Sequence, residues 1–427
     1  MTMNVQSRRR SVPYHLLAGL AGALIATTVH AQEGGFEKFE PRSTAAVMPA
    51  DLDQGPHFRL APSFQTIAYQ NNFVMSSDYG TFLAPSDTML RRLVREIHAI
   101  AALHDITLTD AYGTALAQAA RGPIRGVKAL VTQPVQTLEA VPTALFDVFS
   151  RVGQGIQTLA SGDKTGYEDS AAAQALQMSS YKREYAKQLG VDPYSSNAVL
   201  QKQLDSVAWA AAVGGLTVTA ASMATGSAAV EGLSYARNLD QARNVVAAEP
   251  AAQLMINNRA ALEEMGIDPR LEDQFLGQQQ FSPRAKTILV AALAAMANTT
   301  GRESVLQVAL EAPDEATAIF YQQLAELLNG YDERVAHIIS LQQFNRLVIA
   351  HDSNATAVII APLDYVIWNE RAAAAAGEFA STLRLQPGTK KIQLWITGTA
   401  SSHSRAEAQA LGIEIKEGVS KQLPLLD

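Results

Sequence analysis

Val358-Ile359-Ile360-Ala361-Pro362-Leu363-Asp364-Tyr365 joins a short apolar run to a proline turn that carries an acid and an aromatic ring. A run this short, rich in β-branched side chains and closed by proline, predicts a buried strand rather than a helix. The residues that follow supply its partners. Asn369 to Arg384, with five consecutive alanines, is a strong helix former, and Ile392 to Thr397 reads as a second strand. Ser402 to Leu411 is a second helix and Ile413 to Lys416 a third strand. Strand, helix, strand, helix, strand with right-handed crossovers predicts a C-terminal three-stranded α/β unit within residues 331–427.

Ligands of parallel sheets sit beyond the carboxyl ends of the strands. The candidate ligand-binding residues are therefore Asp364 and Tyr365 after the first strand, and Gly398, Thr399, Ser401, Ser402 and His403 after the second. The second loop opens a helix, whose free N–H groups, neighbouring hydroxyls and flexible glycine suit a phosphate or carboxylate. The same residues also read as an ordinary strand-to-helix connection with Ser402 as N-cap. Asp364, Ser401, Ser402 and His403 contain the residue types of a hydrolase, although adjacent residues on an incipient helix rarely aim at one another.

An aspartate ending one strand and a Thr or Ser ending the next resembles the layout of the haloacid-dehalogenase phosphatases, over about a tenth of the chain. That resemblance implies a second aspartate two positions after the first, where this chain has Val366. It also implies a lysine and a later acidic pair around magnesium, and beyond Ile413 the acids are Glu414, Glu417 and Asp427. No cofactor is expected. The histidines that follow residue 31 are His57, His98, His104, His337, His351 and His403, with no metal-binding spacing; His98 and His104 fall on different faces of one helix.

Upstream, residues 163–330 read as a helical domain, with helices over Ala171–Leu189, Ser196–Ala212, Gly232–Ala248, Pro250–Met265, Pro283–Asn298, Arg302–Leu310 and Pro313–Leu328. Leu189-Gly190-Val191-Asp192-Pro193 and Met265-Gly266-Ile267-Asp268-Pro269 share one stop pattern, a left-handed glycine followed by an apolar residue and a proline. Asp192, Tyr194 and Asn197 read as a turn followed by an N-cap. Ser206 to Val230 carries no charge, but its many Ala, Ser, Thr and Gly residues predict a buried helix pair broken near Gly214-Gly215 or Thr225-Gly226 rather than a membrane span.

Residues 122–162 read as short amphipathic helices interrupted by Pro123, Pro134 and Pro142, packed around the main body or, in the alternative, lying on a membrane or partner. Residues 57–121 read as a small antiparallel β-meander plus helices. Ser86 or Asp87 caps a helix that buries Leu90, Leu93, Val94, Ile97, Ile100 and Ala101, opposite Arg91, Arg92 and Arg95. Residues 32–56 read as a flexible linker. The whole is an α-rich α+β chain: meander with covering helix, helical middle, C-terminal α/β unit.

Arg8, Arg9 and Arg10 before the apolar run Leu16–Ala26, then Val29-His30-Ala31, form the pattern of a secretory signal cleaved near Ala31. Its removal leaves 31 basic against 41 acidic residues, without a basic cluster, so nucleic acid is not an expected partner. The chain has no cysteine, which excludes disulfides, thiolate zinc sites and cysteine nucleophiles. These features predict an exported periplasmic or envelope protein, non-catalytic, that binds a protein or lipid partner through its helical region, with peripheral membrane contact. The alternative is a phosphatase- or esterase-like hydrolase acting around Asp364 and His403. Nothing in the sequence sets the oligomeric state.

Overall fold

The computed structural model describes residues 35–120, 168–216, 246, 249–384, 388–423 and 425–426. The chain divides between Phe36 and Glu37, and residues 37–427 make up one unit. It is a mixed α+β structure, with an antiparallel sheet in the N-terminal region and a mixed sheet in the C-terminal one. The signal segment 1–31, the proline-broken helices of 122–162, the second half of the Ser206–Val230 run and nearly all of the Gly232–Ala248 helix lie outside the described residues.

The N-terminal part begins with β1 (Arg42–Ser43), two one-turn helices α1 (Thr44–Val47) and α2 (Ala50–Asp53), and β2 (Gln54–Gly55). The sheet is completed by β3 (Phe58–Leu60), β4 (Ser63–Ile67), β5 (Gln70–Ser77) and β6 (Gly80–Ala84), all antiparallel, with β5 paired to β3, β4 and β6. Residues 42–55, expected within a flexible linker, are thus structured. Thr44 donates from N to Pro62 O and from Oγ1 to Ala61 O, and Leu52 is buried in the core. Leu52, with Val47 and Met48 beside it, the two Thr44 hydrogen bonds and the pairing of β1 with β4 and β2 with β3 pin a stretch whose composition is that of a tether.

Along β5, Phe73 and Met75 are buried while Val74 and Ser76 face outward, the period of two that a half-covered sheet requires. The covering element is α3 (Asp87–Thr107), capped by Ser86 Oγ accepting from Met89 N at 3.0 Å. It buries Leu90, Leu93, Val94, Ile97, Ile100 and Ala101. Arg92, expected on the solvent face, is buried too. Its Nε lies 3.1 Å from Glu96 Oε1, and its Nη2 lies 3.3 Å from Glu315 and 3.7 Å from Asp192. Glu96 also accepts from Ser195 Oγ and Asn197 Nδ2, so the buried charges tie three distant segments together.

Helices α4 (Asp110–Ala120), α5 (Glu168–Gln188) and α6 (Ala198–Gly214) follow, and α6 packs against α3, α4 and α5. Asn197 caps α6, accepting from Val199 N and Leu200 N. Next come α7 (Ala251–Glu264), α8 (Pro269–Gly277), α9 (Pro283–Ala295), α10 (Glu303–Ala309) and α11 (Glu315–Arg334). Both stop patterns are Schellman ends: Val191 N donates to Ala186 O and Ile267 N to Leu262 O, around Gly190 at φ +67 and Gly266 at φ +72. The two prolines then diverge. Pro269, read as a stop, is the first residue of α8, because Asp268 caps that helix and proline fits its first turn. No helix among the described residues is long and apolar enough to cross a membrane.

The C-terminal sheet contains β7 (Ile338–Phe344), β8 (Leu347–Asp352) and β9 (Thr356–Ala361), followed by β10 (Tyr365–Val366), α12 (Glu370–Arg384), β11 (Lys391–Ile396), β12 (Thr399–Ala400), α13 (Ser402–Ala410) and β13 (Ile413–Lys416). The order is β13-β11-β9-β8-β7. The expected parallel strands β9, β11 and β13 are there, extended by an antiparallel hairpin to five strands; β10 and β12 form a separate parallel pair. The hairpin escapes a pattern search because Ser340-Leu341-Gln342-Gln343 alternates poorly and its turn is Asn345-Arg346, with asparagine at φ +52 instead of glycine. One face of the sheet, with Val358, Ile360 and Trp395, packs on the helical core. The other, with Ile359, Ala361 and Ile413, is covered by Phe379 and Leu383 of α12 and Ala408 of α13.

Candidate functional site

The strand-end residues are brought together, and the chain's own groups engage most of them. Pro362–Asp364 follows β9 and meets the tip of the β4–β5 hairpin. Gln70 Nε2 donates to Pro362 O at 2.6 Å, and Asp364 N donates to Tyr69 O at 3.0 Å. Asp364 is buried, and its Oδ2 accepts from Asn71 N at 2.9 Å and Asp87 N at 3.1 Å. Loss of water and the nearby Asp87 carboxylate push the Asp364 carboxyl well above its ordinary range, against the pull of those N–H groups and of Arg91. Tyr365 carries the Arg42 guanidinium 4.0 Å above its ring.

Gly398 lies against the same turn. A Cβ there would sit 1.9 Å from Asp364 O, so the glycine is required by backbone approach rather than by a ligand. Gly398 N donates to Leu363 O, and Thr399 N to Asp364 O. Carboxylates do reach the loop that opens α13, as its N–H groups and hydroxyls predict, and both belong to this chain. Glu37 Oε2 accepts from Ser401 Oγ and Trp368 N, each at 2.6 Å. Glu417 Oε1 accepts from Ala400 N and from Arg405 Nη1. Ser401, not Ser402, caps the helix, accepting from Ser404 N at 2.9 Å, and Ser402 is exposed. His403 Nδ1 lies 3.9 Å from Glu407 one turn along α13. Asp364, Ser401 and His403 thus face three different sets of partners, and no serine–histidine hydrogen bond joins them.

Beside this joint lies an apolar cavity of about 620 Å³. None of the seven strand-end candidates lines it, although their neighbours Leu363, Val366, Trp368 and Ser404 do. Ile359, Leu394, Ile413 and Ile415 of the sheet form its floor, and Ile319 and Phe320 of α11, Phe344 and Leu347 of the β7–β8 hairpin and Phe379 of α12 its walls. The tip of the β4–β5 hairpin, Ile67 to Gln70, closes a further side. Exposed Ile67, Asp314, Asn345 and Arg371 mark where it opens to solvent.

The alanine run explains the space. Ala372, Ala375 and Ala376 turn toward the cavity at helical spacing, with Ala408 of α13 beside them. A methyl at each position holds α12 over the sheet without filling the gap beneath it. The run was legible as a helix former; that its missing volume faces a cavity depends on the packing of α11 and the β4–β5 hairpin.

The hairpin tip is strained. Ala68 and Tyr69 take φ +49 and φ +68, a left-handed pair normally given to Asn-Gly. Contacts with the C-terminal part hold it: Tyr69 O accepts from Asp364 N and Tyr365 N, and Tyr69 OH donates to Asn369 Oδ1 at 2.9 Å. Burial raises the pKa of the Tyr69 hydroxyl, opposed by that bond and by the positive charge of Arg371.

No family model, curated protein or solved structure matches the chain. Fold and site define it as an α+β protein whose N-terminal hairpin docks on the strand ends of a C-terminal mixed sheet, beside an open apolar cavity.

Proposed function

We propose that the chain is an exported, non-catalytic binding protein that holds a small apolar ligand in the cavity between α11, α12 and the C-terminal sheet. The cavity carries this reading. Its 620 Å³ lies within the range of about 300–1,000 Å³ usual for small-molecule sites, and its walls are mostly aliphatic and aromatic. Such a lining rewards an apolar guest by about 0.8 kcal/mol per buried methylene. Lipid-like ligands also suit the exported address that Arg8–Arg10, Leu16–Ala26 and Val29-His30-Ala31 support.

The test is titration of the purified full chain with the neutral fluorophore N-phenyl-1-naphthylamine. The expected result is saturable binding at one site per chain, weakened at least tenfold by Ala376→Leu, which fills the cavity without removing a hydrogen bond. No saturable binding, or binding indifferent to the filled cavity while Ala376→Leu melts like the native chain, would sink the reading.

A further inference from the structure

Three charged side chains line the cavity, Asp314, Arg346 and Arg371. Two are engaged locally. Asp314 is the N-cap of α11, accepting from Thr317 N and Thr317 Oγ1. Arg346 pairs with Glu311 Oε2 at 3.1 Å and donates to Glu311 O. Arg371 has no hydrogen-bond or ion-pair partner among the described residues, and it is exposed at the opening.

Its position is defined. Arg371 is the second residue of α12, immediately before the alanines that face the cavity, and its charge reaches the Tyr69 hydroxyl, which donates to Asn369 at the same helix end. Asn369 satisfies one free N–H of that helix end, accepting from Ala372 N at 2.9 Å. The positive pole of α12 therefore lies behind the guanidinium, with Glu370 in the same turn, and the guanidinium is the group that offers a carboxylate hydrogen bonds at the opening. The apolar walls lead away from this point toward Phe379, Ile359 and Phe320.

We infer that the ligand is a single-chain amphiphile with one carboxylate head group, its alkyl chain in the cavity and its head paired with Arg371. The inference rests on the cavity reading above and adds the head group and its orientation. A planar guanidinium accepts a carboxylate through two parallel hydrogen bonds. A single cation without a partner matches one negative charge, since the other lining cation, Arg346, is already paired with Glu311.

The experiment is displacement of N-phenyl-1-naphthylamine from the purified full chain by dodecanoate, dodecanol and dodecyltrimethylammonium, which share chain length and differ in head group. Dodecanoate should bind at least tenfold more tightly than dodecanol, and the cation most weakly. Arg371→Gln should erase that preference, bringing dodecanoate to the affinity of dodecanol; Arg371→Lys should keep most of it, and Arg346→Gln all of it. Chain lengthening by one methylene should tighten binding about fourfold until the cavity is full.

Equal affinity for dodecanoate and dodecanol, or a carboxylate preference that survives Arg371→Gln, overturns the head-group assignment and leaves the cavity reading intact. Failure of the fluorophore itself to bind removes the cavity reading, and the assignment with it.

Discussion

Asp364 accepts the backbone N–H of Asn71 at 2.9 Å across 293 residues of sequence, and the same oxygen accepts Asp87 N at 3.1 Å. One buried carboxylate thereby fixes the β4–β5 hairpin and the first turn of α3 to the loop after β9. Asp364→Ala should cost about 2–4 kcal/mol, since it orphans two N–H groups. Asp364→Asn keeps an acceptor and should cost little at pH 7. The sign of the pH effect follows from the raised pKa: the folded state holds its proton more tightly than the unfolded chain, so stability falls as pH rises from the unfolded value, about 3.9, to the raised folded one. Thermal melts between pH 4 and 8 should show a flatter profile for Asp364→Asn; an identical slope would mean that this carboxyl does not titrate there.

Gly398 has no room for a side chain against Asp364 O. Gly398→Ala should destabilise by about 2–3 kcal/mol through displaced backbone. The readout is a lower urea midpoint with unchanged slope, and a midpoint within error of native would show that the loop yields freely.

Glu37 bridges Ser401 Oγ and Trp368 N. Removing this charge-assisted pair by Glu37→Ala should lower stability by about 2 kcal/mol, and a chain beginning at Pro41 should lose more, because it also gives up the Glu37 N bond to Trp368 O and the Phe39 contact with Tyr69. Hydrogen exchange at Trp368 should accelerate in both; full protection in either would show that the residues before β1 hold nothing.

Arg92 is shared by Glu96, Asp192 and Glu315 in a buried site. Arg92→Ala strands these carboxylates and should cost about 3–5 kcal/mol. Arg92→Lys keeps the charge without the planar fork and should fall between native and alanine in urea unfolding. Equal stability of all three would place the charges in solvent.

The strand, helix, strand, helix, strand order of the last third was legible because each element announces itself locally: β-branched runs, a five-alanine helix, Ser401-Ser402 before α13. The Schellman glycines were legible for the same reason, since a left-handed C-cap is a property of five residues. The β7–β8 hairpin was not, because its pattern is broken and its stability comes from β9 and α10 beside it.

At the site, the sequence by itself determined which residue types stand at the strand ends, and that the start of α13 offers N–H groups and hydroxyls to a phosphate or carboxylate. Only the tertiary structure decided whose carboxylate. Glu37, Asn71 and Asp87 come from distant segments, and hydrogen bonds over such separations leave no trace in local pattern. The cavity is less legible still. It consists of volume left between α11, α12, the sheet and a hairpin tip, and empty volume is a property of packed surfaces rather than of any stretch of sequence.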